Sequence, residues 1–293
     1  MAARPTESPL VVIVGPTASG KSTLALDIAR QFGGEIICAD SRTVYKGIDI
    51  GTAKPSRADQ IAVPHWGLDL VAPNEPFSVS DFKKYANRII EEIRNRGHIP
   101  LLVGGTGLYI NAVIFDYQFG APINKKLRSE LQQLTLEELT SYCKEKQINL
   151  PENSKNKRYV IRSIENSGRD IKRNNQLMAK SVVVGITTDK ILLHARIEER
   201  VEQILQNGVV DEARKLGKKY GWKCEAMKSN IYPLVHSYLK NEITIDELKT
   251  KAIVTDWRLA KRQLTWLSRN KFIHWETLDE ANKYLSNQLV TNK

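Results

Sequence analysis

Residues 15–22 form a glycine-bounded segment whose composition suits the binding of a phosphate group. The segment consists of Gly15, Pro16, Thr17, Ala18, Ser19, Gly20, Lys21 and Ser22. Its two glycines let the backbone curl until several N–H groups point inward, Lys21 supplies a mobile cation, and the Ser22 hydroxyl suits Mg²⁺. We therefore predict a site for a diphosphate or triphosphate, with Ser22 as a metal ligand.

The residues on either side of this segment place it at a junction between a strand and a helix. The apolar run Leu10–Val14 precedes it and predicts a buried strand, and residues 23–29 have the period of an amphipathic helix. A strand, a glycine-bounded turn and a helix in this order are the context that a phosphate-binding loop requires.

A second residue able to do chemistry, Asp40, directly follows the apolar run at residues 36–39. Because the carboxyl ends of parallel strands line the ligand crevice of an open sheet, we expect Asp40 to lie beside the phosphate loop. The residue types leave three roles open. Asp40 could bind Mg²⁺, act as a general base on a second substrate, or cap the start of a loop.

Another buried strand is predicted at residues 99–103, and it ends in a second glycine turn with Thr106 at its tip. We expect Thr106 to face the same crevice as the phosphate loop. No acidic residue follows this strand, whereas ordinary ATPases use one to organise the metal and the attacking water. The pattern therefore disfavours an ordinary ATPase.

The order of predicted elements indicates an α/β fold with a parallel sheet flanked by helices, similar to that of P-loop NTPases. We assign residues 1–120 and 181–293 to this core, with a helical C-terminal part. Residues 121–180 contain short helical segments, many charges and no convincing strand. We predict that they form a small α-helical insertion domain.

The charge balance is strongly basic, since 44 Lys and Arg residues stand against 33 Asp and Glu residues, giving a net charge of +11. Such an excess favours a polyanionic partner such as nucleic acid. A long helix is predicted to begin at a capping box after Thr244 and to end at Leu267. One face of that helix and its continuation carries Arg258, Lys261, Arg262, Thr265 and Arg269. This stripe is either a solvated face or a contact for phosphates.

The three cysteines, Cys38, Cys143 and Cys224, are far apart and form no CxxC pair. This argues against a disulfide framework or a structural zinc site and for a reducing compartment. No stretch approaches the roughly 20 apolar residues of a membrane span. We therefore expect a cytoplasmic protein.

Motifs along nearly the whole chain closely resemble those of the tRNA dimethylallyltransferases. They comprise the phosphate loop, residues 40–41, 45–55, 64–65, 77–82, 100–109, 194–198 and 259–267. Residues 49–55 (Asp-Ile-Gly-Thr-Ala-Lys-Pro) and 261–267 (Lys-Arg-Gln-Leu-Thr-Trp-Leu) are far more specific than the phosphate loop alone.

This resemblance implies a prenyl transfer. The phosphate loop would bind the diphosphate of dimethylallyl diphosphate together with Mg²⁺. The acceptor would be the exocyclic amine of the adenosine 3′ of the anticodon, in tRNAs that read codons beginning with U, with the base flipped into a channel. We expect the anticodon stem-loop as partner, no membrane partner, and a monomer.

The resemblance also implies roles for individual residues. Asp40 would accept the proton of the amine, Arg214 would stabilise the departing diphosphate, and Thr106 would assist at the diphosphate or the base. The positions that match the family's tRNA contacts are Asp40, Ser41, Arg42, Thr43, Arg128, Arg158, Arg162, Lys228, Lys261, Arg262, Gln263 and Arg269.

Three departures from the family pattern lie on the tRNA side. Residues 228–232 are Lys-Ser-Asn-Ile-Tyr in place of Arg-x-x-Gly-Tyr, and residues 155–162 begin with Lys-Asn instead of Asn-Asp. Asp256 and Trp257 stand where Thr-Arg is expected. Because Lys and Arg are not equivalent at a bidentate phosphate contact, we expect tRNA choice and affinity to change more than the donor chemistry.

Three other functions are weighed against this one. A nucleotide kinase using ATP needs an acceptor site and usually an arginine-bearing lid, which residues 49–55 do not suggest. An isopentenyltransferase acting on free adenylate would leave the helical insertion and the cationic stripe without a role. A basic RNA-binding module with a vestigial loop does not explain why Lys21, Asp40 and Thr106 are all present.

Overall fold

The computed structural model describes residues 8–120, 124–167, 176–228 and 231–291. The chain divides into two compact units, one formed by Met1–Ile114 with Leu177–Lys293 and the other by Phe115–Gln176. Within the described ranges, no helix combines the length and the apolar content needed to cross a bilayer.

The first unit contains a parallel sheet in which β1 lies near the centre. The strands are β1 (Leu10–Val14), β2 (Gly34–Cys38), β3 (His65–Trp66), β4 (Ile99–Gly104), β5 (Ser181–Ile186) and β6 (His274–Glu276). Their order is β3-β2-β4-β1-β5-β6, and every pairing is parallel. The predicted α/β fold with a parallel sheet flanked by helices is therefore confirmed.

Helices cover both faces of this sheet. The helices of the first unit are α1 (Lys21–Phe32), α2 (Arg57–Ala62), α3 (Val79–Asn95), α4 (Gly107–Ile114), α8 (Lys190–Gln206), α9 (Val209–Tyr220), α10 (Tyr232–Leu239), α11 (Ile245–Leu267) and α12 (Leu278–Thr291). The second unit, which does not contain the sheet, has the helices α5 (Lys125–Gln133), α6 (Leu136–Glu145) and α7 (Lys157–Glu165). Alternate strand residues such as Val11 and Ile13 pack with α1 and α12. The intervening residues Leu10, Val12 and Val14 are also fully buried, as expected for a parallel sheet with two covered faces.

The long helix α11 begins where its capping box predicts. The Thr244 hydroxyl accepts the N–H of Glu247, and the Glu247 carboxylate accepts the N–H of Thr244. Two donors at the helix start are thereby satisfied. The helix continues to Leu267, so its polar face extends over more than six turns.

The second unit is a small bundle of α5, α6 and α7. Its core is formed by Leu131, Leu139, Cys143, Val160, Ile161 and Ile164. Among its described residues there is no strand. The Glu165 side chain, only 1% exposed, is also enclosed in this unit.

Candidate active site

The phosphate loop joins β1 to α1 through a tight turn. Gly20 caps α1 with a φ of 88°, a left-handed conformation that side chains disfavour. The carbonyl of Pro16 accepts the N–H of Ser19 (3.3 Å) and the Nζ of Lys21 (2.9 Å). The backbone N–H groups of Gly20, Lys21 and Ser22 bond to no described residue. They remain available to an anion at the positive end of the helix.

Lys21 has an altered proton affinity at this loop. Burial, together with the nearby Arg200 guanidinium, lowers its pKa to about 8, and the Asp40 carboxylate partly opposes these two effects. An arriving phosphate would stabilise the charged ammonium and raise the pKa again. Lys21 is therefore partly deprotonated just above neutral pH in the ligand-free protein.

Asp40 and Thr106 meet where β2 and β4 end. The Thr106 hydroxyl oxygen accepts the N–H of Ser41 (3.1 Å), and the Thr106 N–H donates to the carbonyl of Ala39 (3.4 Å). This approach requires glycine at position 104, where a Cβ atom would lie 2.1 Å from the Ala39 oxygen. The carboxyl ends of the strands therefore bring both residues to the phosphate loop's side of the sheet.

The Asp40 carboxylate is oriented by the backbone that follows it. Its Oδ1 accepts the N–H of Arg42 at 2.7 Å, and the Thr43 hydroxyl lies 3.5 Å from the Asp40 carbonyl. Within the described part of the chain, Oδ2 accepts no hydrogen bond. One oxygen fixes the orientation of the group, and the other is free to accept a proton or to bind a cation.

Gln263, predicted to contact tRNA, makes contacts with the phosphate loop. Its Oε1 accepts the N–H of Thr17 at 2.8 Å, a bond that spans 246 positions in the sequence. Its Nε2 lies against Gly105, where a Cβ atom would be only 2.3 Å away. The side chain therefore sits between the phosphate loop and the turn that carries Thr106.

Arg214, predicted to stabilise the departing diphosphate, lies on the exposed side of α9. Its guanidinium pairs with Asp211 one turn earlier, and 57% of the side chain is exposed. None of its described contacts reaches the phosphate loop or Asp40. A carboxylate three residues away on a helix is a natural partner for a long cationic side chain.

The neighbouring Glu212, which the sequence analysis did not select, supports the segment at residues 49–55. Its carboxylate accepts the backbone N–H groups of Asp49, Ile50 and Gly51 at 2.7–3.0 Å. It also accepts the hydroxyl of Tyr232 at 2.7 Å, and burial raises the pKa of Tyr232, which keeps this donor protonated. The Glu212 carboxylate thus holds the backbone at residues 49–51 in place.

The buried side chain of Lys54 also stabilises the segment at residues 49–55. Its side chain is only 4% exposed, and its Nζ donates to Asp49 (2.6 Å), Asp69 (2.7 Å) and the carbonyl of Tyr45 (2.7 Å). A buried ammonium with three oxygen partners is well compensated. These contacts give the lysine of this block a structural role.

Arg200 is a further residue near the loop that the sequence analysis missed. Its Nη2 donates to the carbonyl of Thr52 (3.2 Å), and its Nε lies 3.6 Å from Oδ2 of Asp256. Burial raises the pKa of Asp256, whereas Arg200 lowers it. Asp256, one of the departures from the family pattern, thus faces a cation on α8. The neighbouring Trp257 packs edge-on against His194, with ring centroids 5.3 Å apart.

The cationic stripe of α11 borders an open groove of about 470 Å³. The groove is lined by Arg258, Lys261, Arg262, Thr265, Trp266 and Arg269. Four cations beside an indole form a surface suited to phosphates and stacked bases. The predicted stripe therefore exists as one continuous surface.

Two other predicted tRNA contacts, Arg42 and Lys228, approach one another at Glu225. Arg42 donates to the Glu225 carbonyl (3.2 Å), and the Nζ of Lys228 lies 3.3 Å from its carboxylate. Ser229 and Asn230, which belong to the altered motif, lie outside the described residues.

In the helical unit, two of the three predicted tRNA-binding arginines have an internal partner. Arg128 binds the Glu165 carboxylate through two nitrogens (2.6 and 2.5 Å), and Arg162 binds it at 3.0 Å. The third, Arg158, is exposed near the start of α7. Arg128 and Arg162 therefore have a structural task within the bundle.

The described residues offer few protein ligands for a metal. Ser22 is exposed in the first turn of α1, and the described residues contain no group of three His, Cys, Asp or Glu side chains placed to hold an ion. Mg²⁺ commonly uses one or two protein ligands, with phosphate oxygens and waters completing its octahedron. A hydroxyl beside a phosphate loop fits that pattern.

Comparisons with known proteins agree with this architecture. The IPP transferase family model matches residues 43–271, and the isopentenyl transferase model matches residues 8–63. The tRNA dimethylallyltransferase of Moorella thermoacetica is 38% identical over 299 residues, covering 94% of this chain and 91% of that protein.

Solved structures agree as well. The full-length tRNA isopentenylpyrophosphate transferase of Bacillus halodurans is 33% identical with a TM-score of 0.73, and the match covers 98% of each chain. A eukaryotic dimethylallyltransferase acting on tRNA is 20% identical with a TM-score of 0.81, covering 98% of this chain and 80% of that one. At that identity the likeness concerns the fold.

Proposed function

The chain belongs to the IPP transferase family, and on this premise we propose how its own residues work in a tRNA dimethylallyltransferase. The enzyme transfers a dimethylallyl group to the exocyclic N6 amine of adenosine 37, 3′ of the anticodon, in tRNAs reading codons that begin with U. We assign roles to these residues because the phosphate loop, Asp40 and Thr106 lie together at one edge of the sheet.

The donor is dimethylallyl diphosphate, held by the phosphate loop. Its diphosphate accepts the N–H groups of Gly20, Lys21 and Ser22, and the Lys21 ammonium approaches from the same side. In the reaction the bond between the prenyl carbon and oxygen breaks, and a bond from that carbon to N6 forms. Because negative charge grows on the departing diphosphate, donors fixed in advance stabilise the transition state.

Asp40 is the general base. An adenine amine is a weak nucleophile that must lose a proton as the new C–N bond forms. The Oδ1 atom of Asp40 is held by the Arg42 N–H, which leaves Oδ2 to receive that proton. Thr106 holds the Ser41 backbone beside it. Isopentenyladenosine and diphosphate are the products.

Arg214 is proposed as a further cation on the diphosphate, through its match to the family pattern. To reach the donor, its guanidinium must leave Asp211, to which it is bound at the surface. Exposed ion pairs of this kind contribute little to stability, so the exchange is inexpensive. The diphosphate offers a stronger, multiply charged partner.

Mg²⁺ is the proposed metal, with Ser22 as its protein ligand. When bound with the donor, the ion neutralises charge on the diphosphate. The exposed hydroxyl at the start of α1 supports this placement.

The tRNA anticodon stem-loop lies on the α11 groove, with additional contacts from Arg42, Ser41, Thr43 and Lys228. We also propose a tRNA contact for Arg158, which lies in the helical segment predicted at residues 121–180. The continuous cationic groove supports this arrangement. We also propose a cytoplasmic monomer, and the free thiols of Cys38, Cys143 and Cys224 are consistent with a reducing compartment.

Contacts between the groove and the phosphates of tRNA make tRNA binding weaker as the salt concentration rises. We expect Arg262→Gln to lower the affinity for tRNA and to reduce the slope of log Kd against log salt by about 1, because one counterion fewer is released. Fluorescence titration at several salt concentrations measures both quantities. Arg30→Gln is the matched control, since Arg30 is exposed in the last turn of α1 and does not line the groove. An unchanged slope for Arg262→Gln would remove Arg262 from the interface.

The activity itself is tested by incubating the protein with unmodified tRNA, dimethylallyl diphosphate and Mg²⁺. We expect mass spectrometry of the digested nucleosides to detect isopentenyladenosine. Prenylation of free AMP, or turnover of ATP, without a product from tRNA would favour one of the other functions weighed above. Omitting the donor provides the blank.

A further inference from the structure

Gln263 connects the surface of α11 with the phosphate loop. It lies between Lys261, Arg262 and Thr265, three of the side chains that line the groove. Its own side chain turns inward and binds the Thr17 N–H at 2.8 Å. Among the described residues, it is the group of α11 that hydrogen-bonds to the loop.

Apolar contacts attach the same helix to the next loop residue. Ala18 packs on a cluster that includes Leu193 and Ile197 of α8 and Ala260 of α11. Ala18 has a φ of 62°, a strained value for a residue with a side chain. The loop conformation therefore depends on α8 and α11 as well as on its own sequence.

Gln263 also touches the turn that carries Thr106. Its Nε2 fills the space over Gly105, so a displacement of the side chain would reach both glycine turns. One amide is thus placed to affect the diphosphate site, through Thr17, and the acceptor side, through the turn beside Asp40.

We propose that Gln263 is a positioning residue that couples tRNA binding in the α11 groove to diphosphate binding in the phosphate loop. This inference rests on the proposed function. A polyanion that binds the groove and holds α11 in one position also fixes the position of the Gln263 amide. Because the oxygen of that amide accepts the Thr17 N–H, the Thr17 backbone is fixed as well. Diphosphate then binds a loop that is already ordered. By linkage, diphosphate must strengthen tRNA binding by the same factor.

The test measures this factor without catalysis. Calorimetric titration with inorganic diphosphate and Mg²⁺ is carried out with and without a saturating anticodon stem-loop that has adenosine at position 37. No prenyl group is present, so no transfer occurs. For the wild type we expect diphosphate to bind about tenfold more tightly in the presence of the stem-loop, within the usual range of allosteric coupling.

Gln263→Leu keeps the size of the side chain and removes the acceptor. We expect its coupling factor to fall to about one, whereas Arg258→Gln weakens stem-loop binding and keeps the tenfold factor, because Arg258 lines the groove without bonding to the loop. A thermal unfolding midpoint near that of the wild type shows that Gln263→Leu is folded. If Gln263 had a purely structural role, the substitution would weaken diphosphate binding equally with and without the stem-loop. The coupling factor would then keep its wild-type value.

The outcomes separate this inference from the proposed function. If the wild type forms isopentenyladenosine but shows no coupling, or if Gln263→Leu retains the full factor, the coupling role is wrong and the activity stands. If the wild type neither binds the stem-loop nor forms product, the proposed function fails and the coupling fails with it.

Discussion

Replacing Asp40 with asparagine is expected to slow prenyl transfer by about 10²–10⁴-fold, the range by which general bases accelerate reactions. Asparagine keeps an oxygen that can accept the Arg42 N–H, so the local backbone should not change. Its amide cannot take the proton from N6. Single-turnover rates at saturating tRNA and donor measure the chemical step, and the affinities for both substrates should stay within about twofold because a neutral isostere removes little binding surface.

The same substitution at Asp27 is the control, because Asp27 is exposed on the surface of α1. Asp27→Asn should react at the wild-type rate. The experiment also discriminates between the roles that the residue types leave open for Asp40. If Asp40→Asn instead loses Mg²⁺-dependent donor binding while its rate at saturation stays normal, Asp40 is a metal ligand and the base lies elsewhere.

Much of this site could be predicted because local rules apply to it. The strand, loop and helix around Lys21 follow from hydrophobic period and glycine spacing, which are properties of neighbouring residues. Asp40 and Thr106 follow from a general rule of parallel sheets, that the carboxyl ends of the strands share one edge. The structure has this order of elements and brings the two residues together.

The contacts that hold the site could not be predicted in this way. Gln263 meets Thr17 across 246 positions, and Glu212 meets Gly51 across 161. Helical period places Gln263 on α11 and Glu212 on α9 but does not name their partners, since partners depend on how the helices pack. A motif can therefore identify a residue as important while leaving its task open.

The same limit applies to the arginines of the helical unit. Arg128 and Arg162 look like surface cations in the sequence, yet both bind the buried carboxylate of Glu165. Losing both arginines would leave that carboxylate unpaired, at a cost on the order of 3–5 kcal/mol, and losing one of them would weaken the pairing. A loss of tRNA binding after mutation of either arginine would therefore need a check of folding before it is attributed to contact with RNA.

Replacing Lys21 with methionine is expected to lower kcat/KM for the donor by about 10²–10³-fold, the effect typical of removing one group that stabilises developing charge. Methionine preserves the length of the side chain and its packing in the loop. The bond to the Pro16 carbonyl is lost, so an unfolding curve accompanies the assay. Steady-state rates with dimethylallyl diphosphate at saturating tRNA measure the effect. A decrease of less than threefold would show that the backbone N–H groups suffice.

The pKa of Lys21 adds a second and independent test of the same role. Because burial and Arg200 lower that pKa to about 8, the free protein loses the ammonium charge as pH rises through this value. Only the charged form attracts the diphosphate, so donor affinity should decline above pH 8, by up to about tenfold per pH unit. The donor's own phosphate ionises lower, near a pKa of about 6, and does not interfere. In Lys21→Met the affinity should be weak and nearly independent of pH between 8 and 10, and a wild-type-like decline in that variant would assign the titration to another group.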